Sequence, residues 1–308
     1  MTIWIILTRA VHFGACLLFF GVFIFDRFTA RGLANEETEI GRRWKTRLRV
    51  FSRILPAVIL VSGVAWFALV AVTMSGQPLT IEILKVVWAQ TQFGAVSKIR
   101  LCFLGAAAVL SCFQKSALQA HQFARWVQTL AAGCLLASLA WSGHGQEGAR
   151  WHLIADVAHL LAAGIWPAGL FPLLLLLRTA RTIAEPHDWR SIAILVSRFS
   201  AISLVTVLVL ALTGTANALF LVGNLSNLVG QPYGRWLLAK IIFFCLAVAI
   251  AGINLFRLTP RLMVEHPNAE RALATTAQLQ TNVQFELILG SGIVVVVAVL
   301  GILPPAMH

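Results

Sequence analysis

The chain has 308 residues, of which 59% are hydrophobic and 12% charged, and its mean hydropathy is +0.83. Soluble domains carry about 25% charged residues, so the composition argues against a water-soluble domain and for an integral membrane protein. The net charge of +12 does not mark a nucleic-acid binder, because the basic residues fall in short segments between apolar runs, with no basic arm and no aromatic-studded groove.

A helix needs about 20 apolar residues to cross a hydrocarbon core of about 30 Å. Eight stretches qualify, approximately Ile3–Phe25, Ile54–Val72, Val96–Cys112, Val127–Trp141, His152–Leu177, Ser200–Leu221, Trp236–Phe256 and Val283–Leu303. Their apolar runs are continuous rather than alternating, which excludes a barrel. The expected fold is all-α, a single bundle of about eight transmembrane helices over residues 1–308. The first stretch has its first charge at Arg9, inside the apolar run, and no A-x-A cleavage site follows. It reads as a retained span. The segment Thr80–Gln92 contains "IEILKVVWAQ", the pattern of an interfacial amphipathic helix.

Orientation follows from Lys and Arg. Seventeen of the 24 lie in the four connections after the odd-numbered spans, eight of them in "DRFTARGLANEETEIGRRWKTRLRVFSR". Those connections are expected to be cytoplasmic, which puts both termini in the periplasm. Trp141, Trp151 and Trp236 then fall at the outer interface. The five cysteines, Cys16, Cys102, Cys112, Cys134 and Cys245, lie within spans and form no C-x-x-C. They read as small buried hydrophobes rather than a disulfide framework.

Ionisable groups inside spans are candidates for function, since each is costly unless paired or hydrated. The stretch "WSGHGQEGARWHLIADVAHLLAAGIW" carries His144, His152, Asp156 and His159. His152, Asp156 and His159 are spaced i, i+4 and i+7 on one face of the fifth span, and Trp166 continues the stripe. His159 is expected about 10 Å below the outer boundary, and His12 of the first span about 13 Å below it. The two could therefore present imidazoles to one ion, with Asp156 as a ligand or as the group that fixes a His tautomer. Cys16 lies one turn further in on the face of His12. Asn217 and Lys240 add polar groups in the outer half, while Glu286 is expected near the inner end of the eighth span. His121, His187 and His266 fall in connections and read as solvated. Imidazole suits copper, zinc, iron and nickel. With only four Met and no Met-x-x-x-Met ladder, a thioether channel for Cu(I) is disfavoured, and a His-rich site accepts Cu(II) as well as Cu(I).

The order of motifs resembles the copper-resistance D (CopD/PcoD) family of bacterial inner-membrane proteins. The likeness is carried by "SGHG", then "HLLAAGIWPAGL" fifteen residues after its His, then "SRFSAISL", "TGTANALF", "YGRWLLAKIIFF", "NLFRLTPRL" and "FELILGSGIVVVVAVLGILPPA". It covers most of the chain and is strongest from Gly143 onward. The resemblance implies copper transport from periplasm to cytoplasm in copper homeostasis or resistance, with periplasmic copper carriers as partners. By position, His12, His144, His159, Trp166, Lys240 and Glu286 match family-typical residues. Pro167, Ala168 and Gly145 depart from the pattern without removing a candidate ligand, and Pro167 is expected to kink the fifth helix. A rival reading is a membrane redox protein that uses the same histidines for haem b or quinol. A third is a copper-sensing or carrier-docking protein without transport.

Overall fold

The structure, a computed structural model, describes residues 1–28, 38–112, 120–142 and 150–304. His144 and His308 lie outside the described residues. The helices are α1 (Thr2–Phe28), α2 (Glu39–Ser75), α3 (Ile81–Gln90), α4 (Gln92–Cys112), α5 (Ala120–Ala137), α6 (Arg150–Ile165), α7 (Leu170–Ile183), α8 (Asp188–Val222), α9 (Leu225–Gly230), α10 (Pro232–Ile253), α11 (Thr259–Glu265) and α12 (Ala269–Leu300). A 3₁₀ turn, Ser138–Ser142, extends α5, and a π-helical turn, Asn254–Leu258, joins α10 to α11. No strand occurs among the described residues. Eight segments are long and apolar enough to cross a membrane, as expected. With an even number of crossings, both chain ends lie at one end of the bundle. There Nη1 of Arg9, in α1, donates to the carbonyl of Gly301, just past α12, at 2.8 Å.

The helices run well beyond their apolar cores. α2 begins at Glu39, not Ile54, so much of the basic connection is helical. Its start is built from local chemistry: Thr38 Oγ1 accepts from the N–H of Gly41 at 3.1 Å. Glu39 pairs with Arg42 and Arg43 at i+3 and i+4, at 2.5 and 2.6 Å. A first-turn acid and a capping hydroxyl both favour a helix N-terminus. α2 ends at Gly76, whose φ of 65° is the left-handed conformation that stops a helix without a Cβ penalty. The segment at Thr80–Gln92 is helical as expected, with Thr80 capping Ile83 N–H at 3.3 Å.

α1 runs through the middle of the bundle, packed against α2, α5, α6, α7 and α12. α7 is buried on nearly every side, from Leu173 through Leu177 without interruption. A helix segment that is apolar all round, as Leu173–Leu177 is, is a core element. The Trp44 indole of α2 pins it by donating to the carbonyl of Pro172 at 2.9 Å.

The fifth span breaks where Pro167 predicts. α6 stops at Ile165 and α7 starts at Leu170. Pro167 has no N–H to give the carbonyl of Ala163, and the N–H of Ala168 takes it instead, at 3.2 Å. The chain widens into an i→i−5 turn that bends the span between His159 and Trp166's far side. The bend is seated against Gly21 of α1: a Cβ there would meet Ala168 Cβ at 2.8 Å and Gly164 O at 3.0 Å.

Gly21→Ala should therefore lower stability by about 1–3 kcal/mol through forced separation of α1 from the bend. Gly105→Ala, whose Cβ would meet nothing within 4 Å, should leave stability unchanged. Unfolding midpoints in mild detergent check the contrast.

Candidate functional site

A cavity of about 220 Å³ opens in the half of the bundle nearest the termini. His152, Asp156 and His159 line it from α6, Asn217 from α8, and Tyr233 and Lys240 from α10. The i, i+4, i+7 stripe of the fifth span thus faces one chamber, as its spacing predicts. Asn217 Nδ2 donates to Asp156 Oδ1 at 2.5 Å. His152 is buried and stacks on Phe220 with ring centroids 5.1 Å apart. Its Nε2 has no hydrogen-bond partner and stands 3.9 Å from Asp156 Oδ2. Asn217 Oδ1 is also buried without a partner. Buried polar atoms left unmatched in this way need a reason, and a missing ion or water is one.

The tautomer of His159 follows from its neighbours. The Thr213 hydroxyl gives its one hydrogen to the carbonyl of Val209, at 2.6 Å. It must therefore accept from His159 Nδ1, at 2.9 Å. Nδ1 carries the proton, so Nε2 presents a lone pair. That lone pair faces Lys240 Nζ at 3.4 Å. Gly214 of α8 faces the ring, and a Cβ there would make an ordinary contact with His159 Cε1 at 3.4 Å. An imidazole whose tautomer is fixed by a hydrogen bond at one nitrogen, leaving a lone pair on the other, is the usual arrangement of a metal-binding histidine; here that lone pair is covered by Lys240.

His12 is elsewhere. Its Nδ1 bonds the carbonyl of Ile59 at 3.1 Å and approaches Ser62 Oγ at 3.2 Å, both on α2. Its Nε2 is 3.9 Å from Cys16 Sγ. His12 lines a separate cavity of about 110 Å³ with Trp66, Phe93 and Arg100. The expectation that His12 and His159 share one ion is not met. Equal depth does not fix a shared face, because each residue turns about 100° around the helix axis. Arg9, Phe13 and Leu17 point α1 toward the chamber, while His12 and Cys16 point toward α2. Among the described residues, no three His, Cys, Asp or Glu side chains form a ready-made metal cage.

α12 continues upstream of the expected eighth span to Ala269, so Glu286 lies near the middle of the helix. It is buried, and Asn254 Nδ2 donates to its Oε1 at 2.6 Å. Asn282 Nδ2 in turn donates to Asn254 Oδ1 at 2.7 Å. Asn254 opens the π-helical turn, a feature frequent at functional sites. Glu286, Asn254 and Trp166 line a third cavity of about 120 Å³. Pro167 lines the chamber while Trp166 lines this third cavity, so the bend of the fifth span stands between the two.

These features define a polytopic helical membrane protein with a polar chamber set into one half of its bundle. Two family models match the chain: copper resistance protein D over residues 193–300, and the copper resistance protein D-like N-terminal domain over residues 1–153. The chain is 30% identical to copper resistance protein D of Pseudomonas syringae pv. tomato over 308 residues, 95% of this chain and 94% of that protein. It belongs to the copper resistance protein D family. It is also 26% identical over 310 residues to inner membrane protein YebZ of Escherichia coli (strain K12), covering 98% of each. Copper transport protein CutJ of Bacillus subtilis (strain 168) is 26% identical over 260 residues, 80% of this chain but 45% of that longer protein. No solved structure matches. Asp156, His159 and Trp166 fall between the two matched segments.

Several polar residues escape a search for ligands. Thr213, which sets the His159 tautomer, and Asn254, which holds Glu286, are uncharged and common in helices. Two buried arginines make a further feature. Arg9 and Arg100 lie over the Trp66 ring, at 5.4 and 5.3 Å from its centroid. Arg100 also donates to Ser138 O at 3.0 Å and to Ser142 Oγ. Desolvated cation–π contacts contribute about 2 kcal/mol each. Trp66→Leu should thus cost about 2–4 kcal/mol of stability, and Trp88→Leu, at a partly exposed ring, clearly less. Thermal unfolding of the two variants in detergent checks the order.

Proposed function

We propose that the protein is a copper-binding permease of the bacterial inner membrane. On this reading it takes copper from the periplasm through the chamber at the terminal end and moves it toward the cytoplasm, in copper homeostasis or resistance. The observation that carries the reading is the His159 lone pair, fixed by Thr213 and aimed into a chamber that also holds Asp156 and the unpartnered His152 Nε2. One imidazole, a carboxylate and a second imidazole form a donor set that accepts Cu(II), and Cu(I) with fewer ligands. His144 would serve capture ahead of the chamber, and a periplasmic copper carrier would deliver the ion.

The His12–Cys16 pair is a separate, softer station. A first-row ion at about 2.0 Å from nitrogen and about 2.3 Å from sulfur spans atoms 3.9 Å apart without moving either. A sulfur donor favours Cu(I) there. Glu286 and its asparagines offer the next polar position beyond the bend. In the cavities described, His152 and His159 share one helix and His12 lines a different cavity. Membership in a copper family favours transport over the redox alternative.

His159→Ala should abolish copper binding in the chamber and copper uptake by proteoliposomes. His12→Ala should leave chamber binding in place and remove a second, separable binding event. His266→Ala should change neither. Isothermal titration and uptake assays with copper, repeated against zinc, check this pattern. Equal binding by His159→Ala and the native protein would reject the chamber as the site.

A further inference from the structure

A metal-binding lone pair in this chamber is already facing a cation. Lys240 reaches His159 Nε2 from α10, with Nζ at 3.4 Å. Thr213 leaves that nitrogen no proton, so the ammonium is the donor and Nε2 the acceptor. Asp156 lines the same chamber and is held by Asn217 at 2.5 Å. The Lys240 amine thus covers the lone pair that a cargo ion would need, in the chamber that Asp156 also lines. The walls around it are largely apolar, with Leu17, Leu160 and Leu237 among them. Two cations within a few ångströms repel strongly where water is scarce. The chamber has room for the side chain to move, and lysine's four-carbon stem is flexible and carries a compact charge.

We propose that Lys240 is a tethered stand-in for the cargo ion: its ammonium fills the chamber when copper is absent, withdraws from His159 when copper enters, and returns as copper leaves. The idea rests on the chamber being the copper site. It assigns Lys240 a positioning role, not a ligand's role, since an ammonium has no lone pair to give. The lysine keeps Asp156 compensated in the empty chamber. It also lowers copper affinity, because copper binds only the fraction of molecules with Nε2 uncovered. If the ammonium covers Nε2 for about nine-tenths of the time, apparent affinity falls about tenfold. A carrier that must release its cargo gains by that loss.

The sign of the effect separates this role from a structural one. Cu(I) binding to the full-length protein in lipid nanodiscs, with the His12–Cys16 station removed by His12→Ala in every sample, is measured by competition with a chromophoric chelator. The native protein is compared with Lys240→Met, Lys240→Gln, Lys240→Arg and His159→Asn, each checked for a monodisperse fold by size exclusion. Lys240→Met and Lys240→Gln should bind about tenfold more tightly and transfer copper to an acceptor chelator more slowly. Lys240→Arg, which keeps the charge, should stay near the native affinity. If the folded neutral variants bind no more tightly than the native protein while His159→Asn binds weakly, the stand-in role is overturned and the chamber reading survives. If His159→Asn binds as well as the native protein, both fall. Should Lys240→Met misfold, Lys240→Gln decides alone.

Discussion

Hydrocarbon offers a polar side chain no water, so each such group in a membrane bundle must find its partner on another helix. That constraint shapes the interior of this protein. Asp156 is met by Asn217, His159 by Thr213 and Lys240, Glu286 by Asn254, His12 by Ile59 and Ser62. Each pairing ties helices that are apart in sequence. Some capacity stays unused: the second nitrogen of His152, one oxygen of Asn217 and one oxygen of Glu286. Stability and function draw on the same polar groups, because satisfying most of a group's bonds positions what remains.

The spans were readable because bilayer thickness acts on the number of consecutive apolar residues, and nothing else in the chain imitates that signal. The break at Pro167 was readable because a missing N–H has a fixed consequence. The lengths of α2, α8 and α12 were not. Caps such as Thr38 and Asn268, and i, i+4 pairs such as Glu39 with Arg43, carry helices past the lipid boundary. Hydropathy is blind to them.

The chamber was half legible. Spacing alone put His152, Asp156 and His159 on one face, since all three share a helix and a helix fixes relative rotation. Across helices the reasoning had depth but no azimuth. His12 has the right depth and the wrong side of α1, with Phe13 turned toward the chamber in its place. Lys240 and Asn217 were recognised as polar residues in the outer half, yet their partners were not, because pairing depends on how α8 and α10 rotate against α6. Thr213 gave no signal at all: a hydroxyl that bonds its own helix carbonyl looks ordinary until an imidazole is found leaning on it.

The His159 chamber, with nitrogen and oxygen donors, and the His12–Cys16 pair beside α2, with nitrogen and sulfur donors, are separate; on the proposed copper reading they would be stations of different chemistry. Diffraction from crystals grown with copper, with anomalous data collected at the copper edge, tests this arrangement most directly. A peak about 2 Å from His159 Nε2, on the side now filled by the Lys240 ammonium, is the expected result. A chamber without copper, with the anomalous signal confined to His12 and Cys16 or to the protein surface, would contradict it.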